Sequence, residues 1–125
     1  LLVGRKERTP TQEDATMTEH NYQIRQLAEE LQPPESGKQS IVLADDDNTK
    51  VVMFAFAAGA GLAEHIAPLP AIIQIIKGEA SLTIGGDSVP GQPGTWIHMA
   101  ANAPHSVKAE TPVVMLLTLL KTGSE

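Results

Sequence analysis

From residue 38 onward the apolar positions recur with a period near two, in short runs cut by glycine and proline. Gln39–Ala44 is a short candidate strand, and Lys50–Ala57 (KVVMFAFA) is a strongly apolar one. Ala71–Ile76 (AIIQII) is rich in β-branched side chains, which suit a pleated surface. Ala80–Ile84 follows Gly78, and Gly85-Gly86-Asp87 then reads as a hairpin turn, because glycine takes positive φ without steric cost. Pro90-Gly91 and Pro93-Gly94 mark two further turns. Thr95–Met99, His105–Ala109 and Pro112–Leu120 complete the strands, with Met53, Met99 and Met115 as core fillers. About eight short strands with this punctuation predict an all-β sandwich or barrel. Asp45-Asp46-Asp47-Asn48 reads as a solvated turn rather than a calcium loop, whose glycine and distal glutamate are missing.

Ahead of the strands the period changes. Ile24, Leu27, Ala28 and Leu31 lie at helical spacing, which predicts a helix over Thr18–Leu31. Pro33-Pro34 ends it, since proline cannot continue a helix. Residues 1–16 are polar and read as a tail, with Met17 a candidate initiator. The expected organisation is a tail over 1–16, a helical and loop segment over 17–37, and a β-domain over 38–125.

Composition narrows the function classes. A chain of 125 residues with 42% hydrophobic content fits one globular domain. Its net charge of -6 disfavours general binding to nucleic acid or anionic membranes. The chain has no cysteine, so disulfides, thiolate catalysis and zinc–cysteine sites are excluded. The longest apolar stretch, Val51–Ala63, is interrupted by Gly59 and Gly61 and is too short to span a bilayer. At the N-terminus the charges of Arg5, Lys6, Glu7 and Arg8 follow the apolar residues, the reverse of a signal peptide, so the expected location is cytoplasmic.

The candidate chemistry rests on histidine. His65 follows a glycine-rich loop and His105 follows Asn102-Ala103-Pro104, both where a strand meets a turn. Two such imidazoles from distant strands could converge inside a barrel and ligate a divalent metal, or line a partly wet cavity. His98 reads first as a surface or interface histidine, and second as a candidate third ligand; it shares a strand face with Trp96, and which face turns inward is open. Trp96 is a candidate ligand platform or packing residue. His20 reads as solvated. Ser106 alternates away from His105 and is not activated by it.

From Gly59 to Ala109 the chain resembles the cupins. Their first motif, G-x5-H-x-H-x3–4-E-x6-G, is met by Gly59, His65 and Gly78, while Ala67 and Ala71 stand at its second histidine and its glutamate. The second, G-x5-P-x-G-x2-H-x3-N, is met by Gly94 and His105, with Ala100, Asn102 and Ala109 at the proline, glycine and asparagine. Lys77-Gly78-Glu79-Ala80 and Ile84-Gly85-Gly86-Asp87 are similar to the family's hairpin. The resemblance covers about residues 38–120. It implies a small single-domain protein of the conserved-barrel type: a double-stranded β-helix, or jelly-roll barrel, behind a short N-terminal helical segment. It also implies a metal site of three histidines and one glutamate, of which only His65 and His105 are carried over. By strand alternation, positions 65, 67, 71, 73 and 75 share the inward face, so that face is mostly apolar. Glu64 and Gln74 fall on the opposite face.

Two functions follow. One is a barrel that binds a small molecule near His65, His105 and Trp96 with a depleted ligand set. The other is a metal-dependent enzyme of dioxygenase, isomerase or decarboxylase type, built on His65, His105 and His98 around zinc, manganese, iron or nickel. The nearly unbroken apolar runs Val51–Phe56 and Val113–Leu120 suggest burial on both faces, and hence a homodimer.

Overall fold

The computed structural model describes residues 22–121. The tail over 1–16, Met17, His20 and the start of the expected helix lie outside the described residues. The chain divides into two units, one ending at Glu30 and the other beginning at Leu31.

In the first unit the helix is one turn, α1 (Leu27–Glu30), with no buried residue. The helix expected over Thr18–Leu31 is therefore much shorter in its described part. Nucleating a helix costs more than one turn returns, and a short segment needs an apolar face packed on something to extend. Here Ile24 is exposed. Arg25 instead organises the segment, donating from its side chain to Glu30 at 2.8 Å and to Gln23 at 2.9 Å.

The second unit is all β. Its strands are β1 (Lys38–Asp45), β2 (Thr49–Phe56), β3 (Gly61–His65), β4 (Ala71–Lys77), β5 (Ala80–Ile84), β6 (Asp87–Gly91), β7 (Trp96–Met99), β8 (His105–Ala109) and β9 (Val113–Leu120). They pair antiparallel into a five-stranded sheet, β1-β2-β9-β4-β7, and a four-stranded sheet, β3-β8-β5-β6. The jelly-roll expectation is met. Two strands were not anticipated: β3 was read as a glycine-rich loop, and β6 was hidden by the turn signals around Pro90 and Gly91.

The core lies between the two sheets. From the five-stranded sheet come Phe56, Ala71, Ile73, Ile75, Met99, Val113 and Met115; from the other come Ala80, Leu82, Val107 and Ala109. On β4 the inward positions Ala71, Ile73 and Ile75 are buried and those between them only partly so, the period-two signature of a sheet face. Burying an isoleucine side chain such as Ile73 or Ile75 is worth about 1.5–3 kcal/mol. Gly78 turns the chain from β4 into β5. Its φ is 86°, and a Cβ there would land on the Pro112 carbonyl that leads into β9. Only glycine suits both demands.

The apolar runs on β2 and β9 are buried on both faces, as their pattern suggests. Met53, Ala55 and Val114 have no exposed surface, although their parity is opposite to that of Phe56, Val113 and Met115. This burial occurs within a single chain and does not call on a second copy.

The β1–β2 turn is held by an aspartate. One Asp46 carboxylate oxygen accepts the backbone N–H groups of Asn48 at 2.8 Å and Thr49 at 2.9 Å. Those two donors hold its carboxyl below the usual carboxylate range. Asp45 is also lowered, first by the hydrogen bond from Lys121. Lys121 additionally donates to the Asp46 carbonyl at 2.8 Å, tying the residue after β9 to this turn. No helix of the described residues is long and apolar enough to cross a membrane.

Candidate functional site

The site is built where β3 meets β8. Leu62 pairs with Val107 and His65 pairs with His105, so three residues on β3 span two on β8. Residues directly opposite each other share a face. Val107 is in the core, so Leu62, His105 and His65 all belong to the inward side. A simple alternation from Leu62 would have placed Glu64 there; the extra residue of the irregularity rotates His65 inward instead. Gly61 permits the close pairing, because a Cβ at that position would overlap the Val107 carbonyl.

The two imidazoles touch. Their ring centroids are 4.2 Å apart and the planes meet at 61°, an edge-to-face arrangement. His105 is only 5% exposed, whereas His65 is open to solvent. Each Nδ1 lies 2.9 Å from the backbone carbonyl two residues earlier, Ala63 for His65 and Ala103 for His105. A carbonyl oxygen can only accept, so each Nδ1 carries the hydrogen. In a neutral ring Nε2 is then the lone-pair nitrogen. Neither Nε2 has a hydrogen-bond partner among the described residues.

The inner face of the two sheets is apolar and in part incompletely covered. Phe54, Leu62, Ile84, Ile97, Ala103, Leu117 and Leu119 pack against the core yet remain half-buried. Ile84 pairs directly with His105, and Leu119 pairs with Ala71 on the facing sheet. These side chains face the space between the sheets and keep part of their surface exposed. Phe54, Leu117 and Leu119 are not among the expected site residues, although their shared parity with Phe56 and Met115 marks them as inward-facing.

The loops that follow β3 and precede β8 are fastened to each other. Asn102 donates its backbone N–H to the Ala67 carbonyl at 2.8 Å, with a φ of 69°. Asparagine is the residue after glycine that best tolerates this conformation, and it stands at the position of a motif glycine.

Trp96 and His98 lie elsewhere. They share one face of β7, both exposed, with ring centroids 6.1 Å apart. Their neighbours Ile97 and Met99 turn to the core, and Trp96 pairs with Gln74 and His98 with Ile72 on the outer side of β4. The structure therefore brings together His65 and His105 and does not bring His98 or Trp96 to them. With Ala67 and Ala71 at the other two motif positions, the donor set here is two imidazoles. Among the described residues no group of three or more His, Asp or Glu side chains is placed to hold a metal ion. A three-histidine, one-glutamate metal centre does not fit these residues, although the Nδ1–H to carbonyl tie is one that metal-ligating histidines commonly carry.

Comparison with known proteins bears on this geometry. The sequence profile of the Cupin domain family matches residues 52–119. No curated protein matches the chain. Among solved structures, a conserved protein of unknown function from Streptococcus pyogenes superposes with a TM-score of 0.74 at 24% identity, covering 82% of this chain and 90% of that one. A Cupin 2 conserved barrel domain protein from Leptotrichia buccalis is 31% identical with a TM-score of 0.71, over 76% of this chain and 46% of that one. Salicylate 1,2-dioxygenase from Pseudoaminobacter salicylatoxidans, solved with gentisate, reaches a TM-score of 0.63 at 16% identity, over 66% of this chain and 25% of that one. At 24% and 16% identity, the first and third are likenesses of fold.

Proposed function

This chain belongs to the cupin domain family, and from that premise we propose that it binds a small organic molecule in its barrel, against His65 and His105. The observation that carries this reading is the incomplete burial of the inward-facing row formed by Phe54, Ile84, Ile97, Leu117 and Leu119. Apolar side chains aimed at an interior and left half-covered are stabilised by a guest that removes their remaining surface from water. The buried imidazole of His105, paired with Ile84, supplies a polar group to orient the guest. Small barrels are wide enough for one such ligand.

The distinguishing feature of this barrel is what replaces the missing ligands. Ala67 and Ala71 are the smallest side chains that keep a Cβ, so neither carries a donor atom where a metal centre would place imidazole and carboxylate. An enzyme running on a resident metal is the competing reading, and the paired Nδ1–H ties are what favour it.

Toluene, a ring of one-ligand size, separates the two. Titrated into methyl-labelled protein, it is expected to shift the methyl resonances of Ile84, Ile97, Leu117 and Leu119 together, with a saturable curve. Shifts scattered over the surface, or none up to its solubility, overturn the proposal. So does about one transition metal per chain in protein purified without a histidine tag, lost in both His65→Ala and His105→Ala.

A further inference from the structure

We propose that His105, of the His65–His105 pair, selects the head group of that guest. The Nε2 of the buried His105 acts as a hydrogen-bond acceptor and takes the one hydrogen of a neutral hydroxyl, an alcohol or phenol on an apolar body, in preference to an ether, an ester or a carboxylate, while the Nε2 of the exposed His65 is left to water. This rests on the cavity reading above and adds the chemical class of ligand to it.

The reasoning begins with the two backbone carbonyls. Ala63 and Ala103 each take the one hydrogen of a neutral imidazole, through Nδ1 at 2.9 Å. Both rings are thereby fixed in the same tautomer, and both present Nε2 as a lone pair. On His105 that lone pair belongs to a side chain only 5% exposed, and no described residue donates to it. Buried polar atoms are rarely left without a partner, because water has been removed and nothing replaces it. An enclosed, unpartnered acceptor beside the half-covered Ile84 calls for a donor from outside the protein.

The surroundings decide which donor. The neighbours on the inner face are Leu62, Ile84 and Val107. They carry no charge to balance an ammonium, whose desolvation would go uncompensated. A hydroxyl brings one hydrogen, no charge, and a small size. An ether or ester oxygen brings no hydrogen, and its lone pairs would face the lone pair of His105. A carboxylate would require a second hydrogen on an imidazole before it could be held.

The test compares matched para-substituted rings on the wild-type chain: 4-ethylphenol, 4-ethylanisole and 4-ethylbenzoate, with toluene as reference. Binding is followed by calorimetry and by methyl shifts at Ile84 and Leu117. The phenol is expected to bind at least about tenfold tighter than the anisole, the size of effect that one hydrogen bond to a buried acceptor produces. Nitrogen-15 spectra of the imidazoles are expected to show the hydrogen on Nδ1 of both rings before ligand is added. Toluene binding combined with equal affinity for phenol and anisole overturns this inference and leaves the cavity reading intact. Tightest binding of the benzoate, or a hydrogen on Nε2 of either ring in the free protein, also overturns it. Absence of binding by all four compounds overturns the inference and the cavity reading together.

Discussion

His105→Leu is expected to make the protein more stable. The wild-type residue is only 5% exposed, and its ring makes one hydrogen bond among the described residues, from Nδ1 to the Ala103 carbonyl. Removing that bond costs about 1 kcal/mol. The carbonyl is not stranded, since Ala103 is half-buried and water can reach it. Against this stands the unpartnered Nε2, a buried acceptor whose lost hydration costs about 1–3 kcal/mol in the native state. Leucine removes that penalty and puts hydrocarbon against Ile84 and Val107. The balance is a gain of up to about 2 kcal/mol. For a domain near this size that raises the melting temperature by up to about 8 °C. Calorimetry and urea unfolding both read it, the latter as a higher midpoint at unchanged slope. His105→Ala serves as the contrast, because it empties the site and should destabilise by cavity formation. A leucine variant less stable than wild type would refute the reasoning, since it would mean that Nε2 is already well satisfied in the unliganded protein.

Three further outcomes follow from the same structure. Gly61→Ala should push β3 away from β8, because the new Cβ overlaps the Val107 carbonyl; we expect a loss of about 2–4 kcal/mol in urea unfolding and loss of the nuclear Overhauser contact between the two imidazoles. The Asp46 carboxyl should titrate below the usual value of 3.8. A depressed carboxylate stabilises the fold above its unfolded value and ceases to as pH falls through its folded value, so exchange protection of the Asn48 and Thr49 amides should be lost below pH 3.8 rather than near neutrality, and Asp46→Ala should abolish that dependence. Ala67→His combined with Ala71→Glu should turn two imidazoles into a four-ligand set. Ala71 is only 2% exposed, so the metal-free variant should be destabilised by its buried carboxylate, and added zinc or manganese should restore its melting temperature while leaving the wild type unmoved. No metal-dependent rise in the variant would sink that expectation.

The parts of the fold legible in the sequence were those where burial follows a strict period of two. On β4 the alternation of Ala71, Ile73 and Ile75 was visible at once, and β5 lies where the pattern placed it. β3 was hidden for a physical reason. It is glycine-led, its last three residues are exposed, and its irregularity between Leu62 and His65 breaks the alternation that reveals strands. The over-long N-terminal helix is the converse case, a helical spacing without the packed surface needed to extend it.

The site was legible to a similar depth. Motif spacing alone placed His65 and His105 at matching strand ends, and they are neighbours. It could not orient β7: alternation puts Trp96 with His98, and only the packing of Ile97 and Met99 shows which pair faces out. Nor could spacing reveal the tautomers, which depend on two carbonyls brought within 2.9 Å by the local chain path.

The position of β9 sets the order in which this barrel can be completed during synthesis. β9 is the last of the described strands to be made, yet it lies between β2 and β4, with Val51 opposite Thr118 and Ile73 opposite Leu117. Until residues 113–120 have left the ribosome, two strongly apolar strands wait without their shared neighbour. The β1–β2 and β5–β6 hairpins can close early, because their partners are adjacent in sequence. The five-stranded sheet cannot. Pairings over such separations pay their loop-closure entropy before any contact rewards it, so folding should be slow and should finish after translation of β9. In that interval Val52, Phe54 and Phe56 offer an exposed apolar strand to other nascent chains, which makes the waiting intermediate, rather than the finished barrel, the species most prone to aggregate.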